Sequence, residues 1–427
     1  MLLQKGLNIF RYFAFLIFLQ ACSKNLPDIK WDFSNKEVIG EKPEKSETIK
    51  LDIYLDATTS MEGFAVSNSS IYSQFLDQLE ASALSAWRNA EPQFFKFGEI
   101  IKPINRIEFL SAKNNLQFYK DKDIFKKTYI DSVVKRTDSK RLSVLITDLF
   151  QDEGDVNIMV ERIKEKCFVR DVMVGIIGVK SDFKGKVYDV RNYQKGYDLE
   201  SKERPFYALI FGNPYNMELL FEALKTKSFV KEDQFLIFSK YIIKSFEPTL
   251  IKTKDSKFVN KKAPRTEIKN SFDFSMKKEG KEAKFNLEIN INRNTRCADY
   301  LEKNIQALVF KKSIQDSKNI AVDSTLTNDV SIENIQRVGD KLTGTVLLKN
   351  DDPPGNYSYE VYLKVNQLNG FQTPQWIKAF STEDPIPNTP SASKTYNLQK
   401  LTELLLIANA SISPTYISKF FINIYKR

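Results

Sequence analysis

The chain contains no histidine among its 427 residues. This absence excludes Ser-His-Asp and Cys-His catalysis, histidine general bases and the usual imidazole zinc sites. Cysteine is scarce as well, because Cys22, Cys167 and Cys297 are the only three and no two are close in sequence. A cysteine-ligated metal centre is therefore not expected, and Cys167 and Cys297 are predicted to be buried or unpaired thiols.

Signatures of phosphate and nucleic-acid binding are also missing. No glycine cluster ends in Gly-Lys-Ser/Thr, which excludes a phosphate loop. The net charge is +10, with 64 basic against 54 acidic residues. The excess consists of scattered lysines without an arginine-rich run, so nucleic acid is not an expected partner. A hydrophobic content of 42% is enough for folded cores, and the length fits two globular domains with connecting segments.

The amino terminus has a basic start followed by a short apolar run. Lys5 and Arg11 precede YFAFLIFL at 12–19, which is too short to anchor a protein across a bilayer and is typical of a secretory signal. It ends in Leu-Gln-Ala-Cys at 19–22, which resembles the lipobox of bacterial lipoproteins. The resemblance implies cleavage before Cys22 and acylation of its thiol and its new amino group.

More than one lipid chain on Cys22 would anchor the protein stably to a membrane. Ser23 follows the cysteine, where an aspartate would indicate retention at the inner membrane. The sequence thus predicts a signal peptide at 1–21, a polar tether at 22–48, and a location in the bacterial cell envelope, at the outer membrane if the cell has one.

A strand leads into an oxygen-rich loop in the stretch 49–63 (IKLDIYLDATTSMEG). Its apolar residues alternate along one face up to Asp56. Asp56, Thr58 and Ser60 follow one another at every second position. Hard divalent cations prefer oxygen ligands, and Mg²⁺ usually takes one or two carboxylates from the protein. The loop therefore predicts a divalent-cation site.

Strands alternate with amphipathic helices throughout 49–245. Helices are predicted at 71–87, 125–134, 156–163 and 217–224, and further strands at 94–97, 107–110, 142–146, 172–179 and 206–212. This order predicts βαβ units and a mostly parallel sheet with helices on both faces. Asp148 lies just after the predicted strand 142–146, and Asp56 lies at the end of the first predicted strand. Both are therefore at the carboxyl ends of strands. Because ligands bind at the carboxyl ends of such strands, Asp56 and Asp148 are expected to share one site.

This arrangement resembles the metal-ion-dependent adhesion site of von Willebrand factor A (vWA) domains, a Rossmann-type α/β fold. That family's pattern is Asp-x-Ser-x-Ser, commonly followed by Met-x-Gly. Here it stands as Asp56, Thr58, Ser60, Met61 and Gly63, with a threonine in place of the first serine.

The family completes the site with a threonine from a second loop and an aspartate that is often part of Thr-Asp-Gly. Thr128 and Asp148 match these positions, with Thr137 as the competing threonine and Leu149 where the family usually has glycine. The resemblance implies that Mg²⁺, or Mn²⁺ or Ca²⁺, is held by a set of five side chains. They are Asp56, Thr58, Ser60, Thr128 and Asp148. A carboxylate on a protein partner would complete the coordination.

The second half has a different pattern. Strands are predicted at 285–291, 307–310, 342–348, 357–365 and 376–381, without long helices between them. They predict an all-β, antiparallel, immunoglobulin-like sandwich at 246–385. A linker at 383–394 precedes an amphipathic helix at 398–408 and a final strand at 417–425, so 386–427 is assigned to a C-terminal helix and strand.

These features favour a lipid-anchored protein, not an enzyme, that binds another protein through a metal ion. A metal-independent scaffold or envelope-assembly lipoprotein is the alternative. A metal-assisted hydrolase is less favoured, because no second metal set, histidine base or activated nucleophile is present. A phosphoryl-accepting aspartate is also disfavoured, because Thr58 occupies the position where that chemistry needs a second carboxylate.

Overall fold

The computed structural model of the protein describes residues 47–121, 127–149, 156–188, 196–226, 230–263, 268–314, 325–365, 371–412 and 415–427. The predicted signal peptide, Cys22 and nearly all of the predicted tether lie outside these residues. The described chain is an α/β protein with one seven-stranded mixed sheet and further, smaller sheets.

The seven-stranded sheet contains the first strand of the chain near its centre. Its strands are β1 Thr48–Asp56, β2 Asn89–Phe97, β3 Ile101–Ile104, β4 Arg141–Thr147, β5 Met173–Val187, β6 Tyr197–Gly212 and β7 Phe235–Phe238. Their order is β3-β2-β1-β4-β6-β5-β7. β1 pairs in parallel with β2 and β4, and its last six residues are all buried, as in a central strand covered on both faces.

The sheet is mixed, and the prediction of a mostly parallel sheet holds only for the pairs that β1 forms with β2 and β4. β6 runs antiparallel to both β4 and β5, β7 runs antiparallel to β5, and β3 runs antiparallel to β2. A parallel connection needs a crossover of a dozen or more residues, usually a helix. Here β5 continues past the predicted end at 179 with buried and more exposed residues in alternation up to Val187, so the chain returns as a long hairpin.

Seven α-helices occur in the described residues. They are α1 Ile71–Ala86, α2 Arg106–Ser111, α3 Ile130–Val134, α4 Val156–Lys166, α5 Pro214–Lys225, α6 Gln375–Phe380 and α7 Leu398–Ile412. Two of them replace predicted strands, since 107–110 lies in α2 and 376–380 lies in α6. A run of four to six residues does not separate the two periodicities. Asn105 starts α2 by accepting a hydrogen bond from the backbone N–H of Glu108 at 2.9 Å.

Helices cover both faces of the seven-stranded sheet. α1 and α5 bury their apolar residues, among them Phe75 and Phe221, on the face to which Leu51, Ile53 and Leu55 point. α3 and α4 cover the opposite face, together with α6 and α7 from the far end of the chain. The α/β unit is therefore completed by helices that begin at Gln375 and Leu398, far beyond its last strand, which ends at Phe238.

We expect Ile377→Ala to destabilise the α/β unit. Ile377 is fully buried among side chains of the sheet face covered by α4, and removing such a side chain leaves a cavity that costs about 2 to 5 kcal/mol. Urea unfolding would measure the loss. Its exposed neighbour Lys378 supplies the control, since Lys378→Ala should change stability by less than about 0.5 kcal/mol. Equal effects of both substitutions would contradict this packing.

Two smaller sheets pack face to face in the second half. Their strands are β8 Ile243–Lys252, β9 Val259–Lys261, β10 Ser271–Met276, β11 Glu282–Arg293, β13 Ile305–Ile314, β14 Thr325–Leu326, β15 Val330–Val338, β16 Lys341–Lys349, β17 Gly355–Val365 and β21 Tyr416–Lys426. The orders are β14-β13-β17-β21-β10-β9 and β15-β16-β11-β8. The rings of Phe274 and Phe285, one from each sheet, stand 4.6 Å apart between centroids.

The final strand is an interior strand of the six-stranded sheet. β21 pairs antiparallel with β17. It pairs parallel with β10, so the six-stranded sheet is not purely antiparallel as predicted. Four further strands of two residues form two small ladders: β12 Asp299–Tyr300 with β18 Phe371–Gln372, and β19 Ser381–Thr382 with β20 Thr395–Tyr396. The strands predicted around 285–291, 307–310, 342–348, 357–365 and 417–425 are confirmed.

Candidate metal-binding site

Asp56 is the last residue of β1, and its fully buried carboxylate organises the loop that follows. Thr58 binds one of its oxygens twice: the backbone N–H donates at 3.0 Å and the hydroxyl at 2.7 Å. The hydroxyls of Thr58 and Ser60 are 3.2 Å apart. The side chains of Asp56, Thr58 and Ser60, spaced at every second residue of the loop, therefore form one hydrogen-bonded cluster.

Thr128 and Asp148 reach the same point from two other loops. The Thr128 hydroxyl lies 3.1 Å from that of Thr58 and donates to Asp56 Oδ2 at 3.3 Å. The Ser60 hydroxyl donates to Asp148 Oδ1 at 3.2 Å. The five residues predicted from the sequence are therefore neighbours in space, and each is at most 4% exposed.

The competing threonine is placed elsewhere. The Thr137 hydroxyl donates to the carbonyl of Val134 at 2.8 Å and lies 3.5 Å from the sulfur of Cys167. These contacts belong to the core beneath α3 and α4, so Thr128 is the threonine of the site.

Thr147 belongs to the cluster, although the sequence did not single it out. It is the last residue of β4, and its hydroxyl donates to Asp56 Oδ2 at 2.8 Å while accepting the N–H of Leu149 at 3.1 Å. Its place directly before Asp148 at a strand end is the signal that could have indicated it. Thr147 thereby ties the β1 loop to the β4 loop.

Leu149 has a left-handed backbone, with φ of 63°. That conformation is less stable by about 1 to 2 kcal/mol for an L-residue other than glycine. The structure therefore gives a reason why glycine suits this position, and it shows that the loop keeps its turn despite the leucine.

Burial is the main electrostatic influence on Asp56. It raises the pKa of the carboxyl from 3.8 to about 6, although hydrogen bonds from Thr58, Thr147 and Thr128 act in the opposite direction. The hydrogen bonds favour the charged form, and the lack of water disfavours it. A cation next to this carboxylate would offset the cost of the buried charge.

The spacing of the oxygens fits a small divalent ion. The hydrogen-bonded oxygens of the five residues stand 2.7 to 3.3 Å apart. Adjacent ligands of an octahedral Mg²⁺ stand about 3 Å apart, because each Mg–O bond is close to 2.1 Å. Among the described residues no group of three or more His, Cys, Asp or Glu side chains could hold a metal, so the hydroxyls are essential to this donor set.

Among the described residues, Cys167 and Cys297 have no part in this cluster. Asp152, Glu153 and Asp155, three acidic residues that follow Asp148 closely in the sequence, lie outside the described residues, as does Cys22. Cys167 and Cys297 are free and buried, as predicted, and burial raises the pKa of each thiol to about 12. No helix within the described ranges is long and apolar enough to cross a membrane.

Comparison with known proteins does not assign the chain to a family. Neither a known protein family nor a curated protein matches the sequence. The functional argument therefore depends on the cluster itself: two carboxylates and three hydroxyls from three loops at the carboxyl ends of the parallel strands β1 and β4.

Proposed function

We propose that the α/β unit is a vWA-like domain that binds a protein partner through a divalent metal ion held by Asp56, Thr58, Ser60, Thr128 and Asp148. Mg²⁺ is the expected ion, with Mn²⁺ or Ca²⁺ as alternatives. The observation that carries the proposal is the convergence of these five side chains from three loops at one point.

The bound ion would supply an open coordination position for a carboxylate of the partner. The residues of this chain perform the other tasks. Asp56 and Asp148 provide two negative charges, which balance the charge of a divalent ion, and the three hydroxyls add neutral oxygens, so no excess negative charge repels an incoming carboxylate. Thr147 holds Asp56 in place, and burial excludes water from behind the donors. This division favours recognition of an anionic group and includes no step that breaks a bond.

In this proposal the rest of the chain attaches the binding domain to a membrane surface. In this proposal Cys22 carries lipid in the bacterial cell envelope, and the two packed sheets form an immunoglobulin-like sandwich next to the binding domain. The antiparallel pairing of most of their strands and the facing of the two sheets support that sandwich.

Calorimetric titration with Mg²⁺ and with Mn²⁺ tests the metal site. We expect saturable binding by the wild type and none by Asp56→Ala. Pulldown from an envelope fraction then tests the function, and we expect a partner that is retained in Mg²⁺ and released by EDTA. Absence of binding by the wild type, or equal binding by Asp56→Ala, would remove the proposal.

A metal-independent scaffold is the second candidate, and one observation favours it. The side chains of the cluster satisfy one another, since Thr58, Thr128 and Thr147 all donate hydrogen bonds to Asp56. In that case the cluster preserves the shape of the loops, and partner retention would not change with EDTA. A metal-assisted hydrolase would instead be revealed by turnover of phosphate esters that disappears in Asp148→Ala.

A further inference from the structure

The hairpin of β5 and β6 reaches beyond the main sheet and packs on the back of the loop that follows Asp56. In its outer part Phe183 pairs with Ser201 and Gly185 with Leu199. Gly185 lies directly against Gly63, because a Cβ on Gly185 would stand 2.8 Å from the Cα of Gly63, closer than real Cβ atoms approach. Glycine at this hairpin position permits the contact between two backbones.

Phe183 fills the space beside Gly63. A Cβ on Gly63 would overlap the Phe183 ring, and the ring packs edge-on against Phe64, with 4.9 Å between centroids. The guanidinium carbon of buried Arg204 lies over the Phe183 ring, 5.1 Å from its centroid. A cation over an aromatic face away from water is a favourable contact that fixes the ring.

The hairpin is itself held by the segment 390–396. The Tyr197 hydroxyl donates to the carbonyl of Ala392 at 2.6 Å, and Arg204 donates to the same carbonyl at 3.5 Å. The hydroxyls of Tyr207 and Thr395 are 2.8 Å apart. A continuous set of contacts thus runs from this distant segment through Arg204 and Phe183 to the loop.

The stretch 61–65 of the loop, against which the hairpin packs, makes short-range backbone bonds. Met61 N–H donates to the Thr58 carbonyl at 3.1 Å and Phe64 N–H to the Met61 carbonyl at 3.1 Å, whereas at the start of the loop Ala57 N–H donates to the Phe97 carbonyl at 2.9 Å. The short-range bonds set the local turn. The distance of the loop from Thr128 and Asp148 depends on the hydrogen bonds that Thr58 and Ser60 make to them and on what packs against the back of the loop.

We infer that the β5–β6 hairpin sets the position of this loop and thereby the metal affinity of the site. Phe183 and Gly185 are positioning residues that act on Gly63, and Arg204 acts through Phe183. The inference deepens the proposed function and rests on it. It adds that metal binding depends on the segment 390–396, since that segment holds the hairpin.

Metal affinity and amide exchange test the inference together in the full chain. We expect Gly185→Ala and Arg204→Met to weaken Mg²⁺ binding by about tenfold or more, the range seen when outer-shell support of a metal site is lost. Lys184→Ala is the matched control, because Lys184 lies in the same hairpin but is exposed and pairs with Glu200 at the surface. It should keep the affinity within about twofold, as expected for an exposed ion pair.

Hydrogen–deuterium exchange of the metal-free proteins supplies a readout that needs no ion. Amides of residues 61–65 should exchange faster in Gly185→Ala and Arg204→Met than in the wild type, while Lys184→Ala should show no change. Should Gly185→Ala fail to fold, Phe183→Leu takes its place. Wild-type affinity and wild-type exchange in these variants would overturn the inference. If the wild type binds no metal, the proposed site is wrong, and the exchange result alone decides the role of the hairpin.

Discussion

Asp148→Ala should lose measurable Mg²⁺ binding while the protein stays folded. Asp148 supplies one of two carboxylates in the cluster, and its oxygen lies 3.2 Å from the Ser60 hydroxyl. Outer-shell partners of a metal typically contribute 10-fold to 100-fold in affinity, and a direct anionic ligand should exceed that range. We therefore expect the affinity to fall by more than about 100-fold, as measured by calorimetric titration.

Asp138→Ala is the control for Asp148→Ala. Asp138 is exposed and lies just before β4, at the other end of the strand from Asp148. Its removal subtracts the same charge from the protein without touching the cluster, so Mg²⁺ affinity should remain at the wild-type level. A titration of Asp148→Ala that matches the wild type would show that this aspartate does not hold the ion.

Asp56→Asn should stabilise the metal-free protein. Because burial raises the pKa of Asp56 from 3.8 to about 6, the native state contains a carboxylate that is costly to ionise. The stability that the protonated carboxyl contributes is complete below pH 3.8 and is lost as the pH rises through 6. An asparagine is neutral at every pH, so the variant keeps that stability. Two pKa units correspond to about 3 kcal/mol, the gain expected above pH 7.

Urea unfolding in EDTA at several pH values checks the sign of this effect. The variant should exceed the wild type at pH 8, and the difference should vanish near pH 4. Asp52→Asn is the contrasting control in the same strand, because buried Asp52 pairs with Arg141 and its loss should destabilise the protein. An Asp56→Asn variant that is less stable than the wild type at pH 8 would contradict the free-energy cost that we assign to ionising buried Asp56.

Saturating Mg²⁺ should reverse the order of the two proteins. A ligand at 1,000 times its dissociation constant stabilises the native state by about 4.1 kcal/mol, and the wild type alone should gain that amount. Asp56→Asn has lost the charge that attracts the ion and should gain little. The variant thus separates the stability of the fold from the function proposed for the site.

The site could be predicted further than the fold around it. Asp56 and Asp148 were identifiable because each follows an apolar strand, and parallel strands place their carboxyl ends at one edge. Thr128 was identifiable only through the resemblance, with Thr137 as the competing choice. Thr147 was missed because its hydroxyl bonds to Asp56 at the end of the neighbouring strand. A local sequence pattern does not show which strands are neighbours.

The misassigned elements have physical reasons of their own. The stretches 107–110 and 376–381 are too short to separate the period of a strand from that of a helix. The β5–β6 hairpin was hidden because its outer part, 180–187, is less uniformly apolar than the buried run before it. The packing of α6 and α7 on the seven-stranded sheet depends on contacts between residues that are far apart in sequence, and periodicity predicts only that a helix has an apolar face.

The location of a bound ion tests the central claim most directly. Crystals grown with Mn²⁺ can be measured at a wavelength where manganese scatters anomalously, so that the anomalous difference map reveals the ion alone. We predict one strong peak enclosed by the oxygens of Asp56, Thr58, Ser60, Thr128 and Asp148. A map from crystals saturated with Mn²⁺ that shows no peak between these residues would contradict the proposed metal site.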